Sequence, residues 1–376
     1  ILEDIFSYAN QLGQRAGAGA AYLNIFHSDI EEFLDCKKIN VDEKVRIKSL
    51  SIGVIIPDKF MELAEKDEPY YVFHAHTVFL EYGKYLDDLD MNEMYEELID
   101  NPNVKKRKLN ARHMLVKIAQ TQKESGYPYL FFKDNANRDH ALKDIGEVKF
   151  SNLCTEIMQL SEVSDMGTYY EEDTIRRGIS CNLGSLNIVA VMENKRIKES
   201  VKAAMESLTI VSDLTNIDMV PSIKKANEEL HSVGLGAMNL HGFFAKNFIM
   251  YESREALDFC NVFFMTVNYY SIEKSMEIAR DRKVTFKDFE KSEYAKGTYF
   301  DKYTETEYLP KTEKVKELFE GMHIPTKEDW ELLKEQVMEN GMYHAYRLAV
   351  APNQSTSYIL SSTASVMPIV DTIEVR

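Results

Sequence analysis

Helical and strand-like runs alternate along this chain, and that alternation restricts its fold more than any other feature. Ala111, Met114, Leu115, Ile118 and Ala119 recur at helical spacing, Gly126 sits where a helix would stop, and Tyr129-Leu130-Phe131-Phe132 reads as the strand after it. The same alternation is predicted at Val148-Lys149-Phe150 leading into the segment around Cys154, and at the helical run Val201 to Leu214. From Thr326 to Asn340 a helix is predicted between a Thr326 cap and a Gly341 terminator, followed by a strand-like Tyr346 to Ala351. Alternating elements of this kind predict an α/β core with parallel strands. A longer helical pattern from about Glu255 to Arg280 carries Phe259, Phe263, Phe264, Val267 and Tyr270 and predicts a buried packing helix. The stretch Lys291 to Thr312, rich in Tyr, Lys, Glu and Thr, reads as a surface excursion. Nothing resembles a flexible linker, so one domain is expected.

Composition narrows the class of ligand. At 376 residues and 44% apolar content the chain can bury a large core. Its 61 acidic residues exceed its 45 basic ones, giving a formal charge of -16, which argues against a nucleic acid polymer, whose phosphates demand clustered Lys and Arg. A single nucleotide is a different matter, because a few backbone amides and hydroxyls can hold a phosphate. The four cysteines, at 36, 154, 181 and 260, form no C-x-x-C pair and are too sparse for a secreted disulfide scaffold. No apolar run approaches a membrane span and no signal segment opens the chain, so a cytoplasmic location is expected. Ile1 in place of a start methionine, and Arg376 without a stop pattern, lead us to expect a piece of a longer polypeptide.

The chemistry-bearing segment is Phe150-Ser151-Asn152-Leu153-Cys154-Thr155-Glu156. In an extended backbone, side chains two apart point the same way, so Asn152, Cys154 and Glu156 would share one face at about 7 Å per step, with Leu153 and Thr155 packed behind. An amide, a thiol and a carboxylate in a row can reach neighbouring positions on a small polyhydroxy ring. A lone cysteine is more often a small buried hydrophobe, and only its flanks argue otherwise.

Those flanks resemble the large, catalytic subunit of class I ribonucleotide reductase. Asn-Leu-Cys-Thr-Glu is followed 27 positions after the Cys by Cys181 in Ile179-Ser180-Cys181-Asn182-Leu183-Gly184-Ser185. The run Gln11 to Leu23, the segment Lys37 to Glu43, Gly234-Leu235-Gly236-Ala237-Met238-Asn239 and Tyr343-His344-Ala345-Tyr346-Arg347 are similar to the Ib-type branch, so the likeness covers nearly the whole chain. It implies a ten-stranded α/β barrel of two parallel half-sheets, with the reactive cysteine on a central loop. All of residues 1–376 would belong to one catalytic barrel, an effector region and a first redox cysteine lying upstream, and a tyrosine pair and a cysteine tail downstream.

The resemblance also implies roles. Cys154 would be the thiyl that removes the ribose 3′ hydrogen and later returns one, Glu156 the general base on the 3′-hydroxyl, and Asn152 the group that fixes the ring. Cys181 would be one half of the dithiol that supplies two electrons. Ser151 and Asn152, with Pro352, Asn353, Gln354, Ser355 and Thr356 in a hydroxyl- and amide-rich turn, would bind the substrate and its diphosphate. In the Ib branch that turn usually reads Pro-Thr-Gly-Ser-Ile-Ser, so the chain departs from it, and the lost glycine weakens the case for close backbone approach to phosphate. Gln11 and Arg15 would lie on the loop that passes effector information to the substrate base.

The histidines show no zinc-like spacing and no metal is expected in this chain. The radical would come from a dimetal small subunit, the electrons from a thioredoxin- or glutaredoxin-type reductant, and the large subunit would be a homodimer. The activity implied is reduction of ribonucleoside diphosphates to 2′-deoxyribonucleotides for DNA synthesis, without turnover by the isolated chain. The alternative is an inactive or split-gene fragment that binds nucleotide or partner subunits only. A thiol–disulfide oxidoreductase fits less well, since Glu156 beside Cys154 discourages a thiolate.

Overall fold

The computed structural model describes residues 1–10, 13, 16–215 and 217–373. They fall into two compact units, one of Ile1–His140 with Val148–Met158, the other of Ala141–Glu147 with Gln159–Arg376. Both mix helices with parallel strands, as the alternation predicts.

The first unit contains strands β1 (Ala20–Asn24), β2 (Ser51–Ile56), β3 (Pro69–Phe73), β4 (Lys106–Asn110) and β5 (Tyr129–Phe132). β1, β2 and β5 form a parallel sheet with β2 in the middle, and β3 pairs antiparallel with β4. The middle strand, Ser-Ile-Gly-Val-Ile-Ile, is buried along its whole length, as a strand covered on both faces requires. The helix Ala111–Ser125 delivers the chain to β5. The Asn110 side chain accepts from His113 N–H at its start, and Gly126 at φ +76° ends it, where the sequence places the stop. Phe26, Phe60 and Tyr70 close the core edge to face, and Tyr95 packs on Phe26 at a tilt.

The register of this sheet brings a glycine beneath an aromatic ring. Tyr22 of β1 lies opposite Gly53 of β2, and Gly53 lies opposite Tyr129 of β5. A Cβ on Gly53 would stand 2.3 Å from the Tyr22 ring, so the glycine is the slot into which that ring leans.

The second unit is built on β6 (Leu183–Asn187) and β7 (Gly234–Met238), a parallel pair. The 29-residue helix Arg254–Arg282 packs against the helices Ile197–Leu214 and Lys327–Asn340, with Phe259, Phe263, Val267 and Tyr270 buried as predicted and Phe264 half-buried. The helix Lys327–Asn340 opens on a capping box between Thr326 and Asp329 and ends at Gly341.

Three sequence expectations are corrected. Tyr346–Ala351 is not a full strand. It runs parallel to β7 through Val233 N–H to Tyr346 C=O, Leu235 N–H to Arg347 C=O and Ala349 N–H to Leu235 C=O, then turns away at Pro352 and at Asn353, which takes φ +50°. Val148–Phe150 is not a strand either, because the Asn137 side chain takes both the N–H and the C=O of Val148, at 2.8 and 2.9 Å, in place of a neighbouring strand. Lys291–Thr312 is not a surface excursion. Ser292, Tyr294 and Phe300 are buried, Tyr303 stacks on Trp330 at 4.0 Å, and the buried Arg347 guanidinium donates to Tyr294 Oη and to Asn268 Oδ1, each at 3.1 Å. Tyrosine carries a large apolar ring behind its hydroxyl, so a Tyr-rich segment that looks polar can pack inward. Among the described residues no helix is long and apolar enough to cross a membrane.

Candidate active site

Asn152–Thr155 is a tight turn, not an extended run. Thr155 N–H donates to the Asn152 carbonyl at 3.2 Å, and Thr155 itself sits at φ +63°, a conformation costly for a β-branched residue. The expected pleat is overridden by the Asn152 side chain, which bonds locally in competition with a strand ladder. Its Oδ1 accepts from Ile157 N–H at 3.0 Å and its Nδ2 donates to Glu156 Oε2 at 2.8 Å. Amide and carboxylate therefore do converge, but by folding of the turn. Cys154 is exposed near its apex, Leu153 is half-buried, and Thr155 is exposed instead of packed behind. Ser151 is buried beneath, its hydroxyl donating to Ile157 C=O at 3.0 Å.

The sheet of the first unit supports this turn. Tyr22 stacks its ring on Phe150, with centroids 5.8 Å apart and planes 28° from parallel, and donates its hydroxyl to Asn152 C=O at 3.2 Å. Burial, with a lesser contribution from Tyr129, pushes the Tyr22 phenol up to about 12, so it stays a protonated donor at any working pH. Burial also raises the Tyr129 phenol. Sequence reasoning missed Tyr22 and Gly53. The available signal was an unexplained glycine inside the β-branched run Ser-Ile-Gly-Val-Ile-Ile.

The second unit holds the other named residues. Cys181 is exposed, immediately before β6. Its neighbours are fixed by one backbone and two side-chain bonds: Gly234 N–H donates to Asn182 C=O at 2.8 Å, Gln159 Nε2 to Ser180 C=O at 3.2 Å, and Asn182 Nδ2 to Leu208 C=O at 2.8 Å. Pro352, Gln354, Ser355 and Thr356 are exposed at the entry to the short helix Gln354–Ile359, and Asn353 is half-buried. Asn353 Nδ2 donates to Ser185 Oγ at 2.6 Å, so β6 ties the turn to the strand that follows Cys181. The Asn353 Oδ1 is buried with no hydrogen-bond partner. Gln354, standing where the glycine usually falls, opens the helix in ordinary helical geometry, so its side chain costs no backbone strain.

Gln11 and Arg15 lie outside the described residues. Cys36 is buried with its thiol pushed up by desolvation, and burial pushes Cys260 up to about 11. Among the described residues no cluster of three His, Cys, Asp or Glu side chains is placed to hold a metal ion.

The site is thus a thiol on a turn of a parallel α/β scaffold, with an amide and a carboxylate of the same turn bonded to each other. The family described as ribonucleotide reductase, barrel domain, matches residues 1–376, and the chain belongs to it. It is 58% identical over 376 residues to the ribonucleoside-diphosphate reductase subunit alpha of Bacillus subtilis (strain 168), a match covering all of this chain and 54% of that protein. The subunit alpha of Mycoplasma pneumoniae is 48% identical over 382 residues, covering all of this chain and 53% of the relative. That of Helicobacter pylori (strain J99) is 30% identical over 416 residues, with 98% and 51% covered. The chain thus spans about half the length of the curated relatives it matches.

Proposed function

We propose that this chain is the catalytic-barrel portion of an Ib-type ribonucleoside-diphosphate reductase large subunit, and that its two units are parts of one ten-stranded α/β barrel. The observation that carries this reading is the Asn152–Glu156 hydrogen bond on the turn that presents Cys154, in a chain matched from end to end by the reductase barrel family. A carboxylate held at a fixed place beside a thiol suits a general base acting on a ribose hydroxyl while the sulfur acts on the adjoining C–H.

In the reaction we assign, a radical delivered from a dimetal small subunit leaves Cys154 as a thiyl. The thiyl takes the 3′ hydrogen atom, Glu156 takes the 3′-hydroxyl proton, and the 2′-hydroxyl leaves as water. Cys181 and a second thiol supply two electrons and two protons, one proton going to the departing water and one to C2′, and become a disulfide; Glu156 returns its proton to O3′ and Cys154 returns a hydrogen atom to C3′. A thioredoxin- or glutaredoxin-type protein then restores the dithiol. Ser151, Asn152 and the turn Pro352-Asn353-Gln354-Ser355-Thr356 bind the nucleoside diphosphate. Gln11 and Arg15 report effector state, and the large subunit works as a cytoplasmic homodimer.

The test is turnover of ribonucleoside diphosphates by this chain supplied with the flanking segments its relatives carry and a radical-bearing small subunit. Cys154→Ser should leave no measurable deoxyribonucleotide. A Cys154→Ser enzyme that still turns over would remove the assignment.

A further inference from the structure

We propose that Tyr22 is a positioning residue for the reacting thiol: its hydroxyl, given to the Asn152 carbonyl, and its ring, laid on Phe150, fix the limb of chain that leads into the Cys154 turn. This rests on the reading of Cys154 as the reacting group.

The turn needs an anchor from outside. Thr155 is held at φ +63°, and a β-branched residue stays there only where its surroundings over-determine the backbone. Two donors meet on the Asn152 carbonyl, Thr155 N–H from within the turn and Tyr22 Oη from the sheet, each at 3.2 Å. Asn137 already secures Val148 at the start of the segment, so Tyr22 secures its far end, four residues on. The Asn152 side chain, whose Nδ2 aims Glu156, hangs from the backbone that Tyr22 grips. Displacing that carbonyl would therefore move the thiol and the carboxylate together.

The sheet is shaped to allow this. Gly53 is Tyr22's partner across the β1–β2 register, and any Cβ there would meet the ring at 2.3 Å and push it off Phe150. Leaning into the Gly53 slot sets the ring's angle, and the angle places the hydroxyl. A tyrosine that served as packing alone would need neither the slot nor the carbonyl bond.

Tyr22→Phe keeps the ring and its stack and removes only the donor. In the assembled reductase, kcat should fall by roughly three- to tenfold, the worth of one neutral hydrogen bond, with KM within about twofold and the melting temperature lowered by no more than a few degrees. Gly53→Ala leaves the hydroxyl but moves it, and should lower kcat at least as far. The Gly53→Ala, Tyr22→Phe double variant should then be no slower than Gly53→Ala alone, because both changes break one contact. An unaltered kcat in Tyr22→Phe, beside a dead Cys154→Ser, overturns the proposal and spares the functional reading. The same holds if kcat falls only in step with lost stability, or if the two substitutions simply add. An active Cys154→Ser enzyme overturns the functional reading, and this inference with it.

Discussion

The two thiols proposed to work in one reaction are held by different means. Cys154 rides a turn shaped by side chains: Asn152 bridging to Ile157 and Glu156, Ser151 to the Ile157 carbonyl, Tyr22 to the Asn152 carbonyl. Cys181 leads into a strand held by the β6–β7 backbone ladder, which Asn182 enters one residue later, with side-chain bonds from Gln159 to Ser180 C=O and from Asn182 to Leu208 C=O added to it. A backbone ladder survives most side-chain changes, whereas a turn closed by side chains is only as good as each of them. The geometry of the first thiol is therefore fragile and local, that of the second robust and shared with the core.

The sharpest way to break this comparison is to truncate one asparagine beside each thiol. Asn152→Ala removes three side-chain bonds, to Ser151, Glu156 and Ile157, and the aim of Glu156; since a misplacement near 1 Å costs about a hundredfold in rate, kcat should fall by about that factor, well beyond a stability loss of roughly 1–3 kcal/mol. Asn182→Ala removes a single bond to Leu208 C=O and should cost about 1 kcal/mol of stability and little rate. Steady-state kinetics and urea melts on both variants decide it. Equal kinetic damage from the two would show that the thiol segments do not differ in the way described.

Glycines sharpen the same contrast. A Cβ on Gly236 would stand 2.2 Å from the Ala349 carbonyl, a backbone atom that cannot swing away, so Gly236→Ala should push the Arg347–Val350 limb off β7 and cost roughly 2–3 kcal/mol. The three atoms nearest a Cβ on Gly53 all belong to the Tyr22 ring, a side chain that can rotate aside, so Gly53→Ala should cost less stability, about 1 kcal/mol, and show its effect in kcat. Denaturant midpoints measured beside rates separate the two. A Gly53→Ala protein less stable than Gly236→Ala would refute the distinction.

The same difference decides what the sequence could reveal. Helices with strong periodicity and explicit ends were legible: Ala111–Ser125 stops at Gly126, and Lys327–Asn340 sits between Thr326 and Gly341. The parallel α/β class followed from their alternation with strands. The identity of the site residues came from a resemblance, and their arrangement did not come at all, because a strand-length run of residues was read as extended while Asn152 bends it into a turn. Local side-chain to backbone bonds leave no period in a sequence. The support from Tyr22 and Gly53 was invisible for a related reason, since it arises across 130 positions of chain and only through the sheet register. Tyr294 and Phe300 were misplaced because tyrosine-rich composition hides an apolar payload.

The smallest effect concerns proton balance in the second unit. His344 is fully buried, Nε2 lying 2.9 Å from Thr209 Oγ1 and Nδ1 lying 2.9 Å from Ser275 Oγ. Thr209 spends its proton on Met205 C=O, so it accepts from Nε2–H; Nδ1 of the neutral ring is then an acceptor, and Ser275 Oγ, which also accepts from His344 N–H, donates its proton to it. The imidazole is thus neutral with its proton on Nε2, and protonating Nδ1 would set two donors against each other. Burial first, then the nearby His231, Arg347 and Arg282, hold its affinity for a proton well below the usual imidazole value. Because the unfolded chain then binds the extra proton and the folded one does not, stability is full above about pH 6.5 and is lost as pH falls below it, by at most about 1.4 kcal/mol per pH unit from this group. His231, lowered by burial in the same unit, adds to the slope. Urea unfolding of the second unit between pH 7 and 5 should therefore show declining stability, and His344→Gln, less stable at pH 7, should decline less steeply. A variant whose stability falls as fast as the parent's over that range would place the pH sensitivity elsewhere.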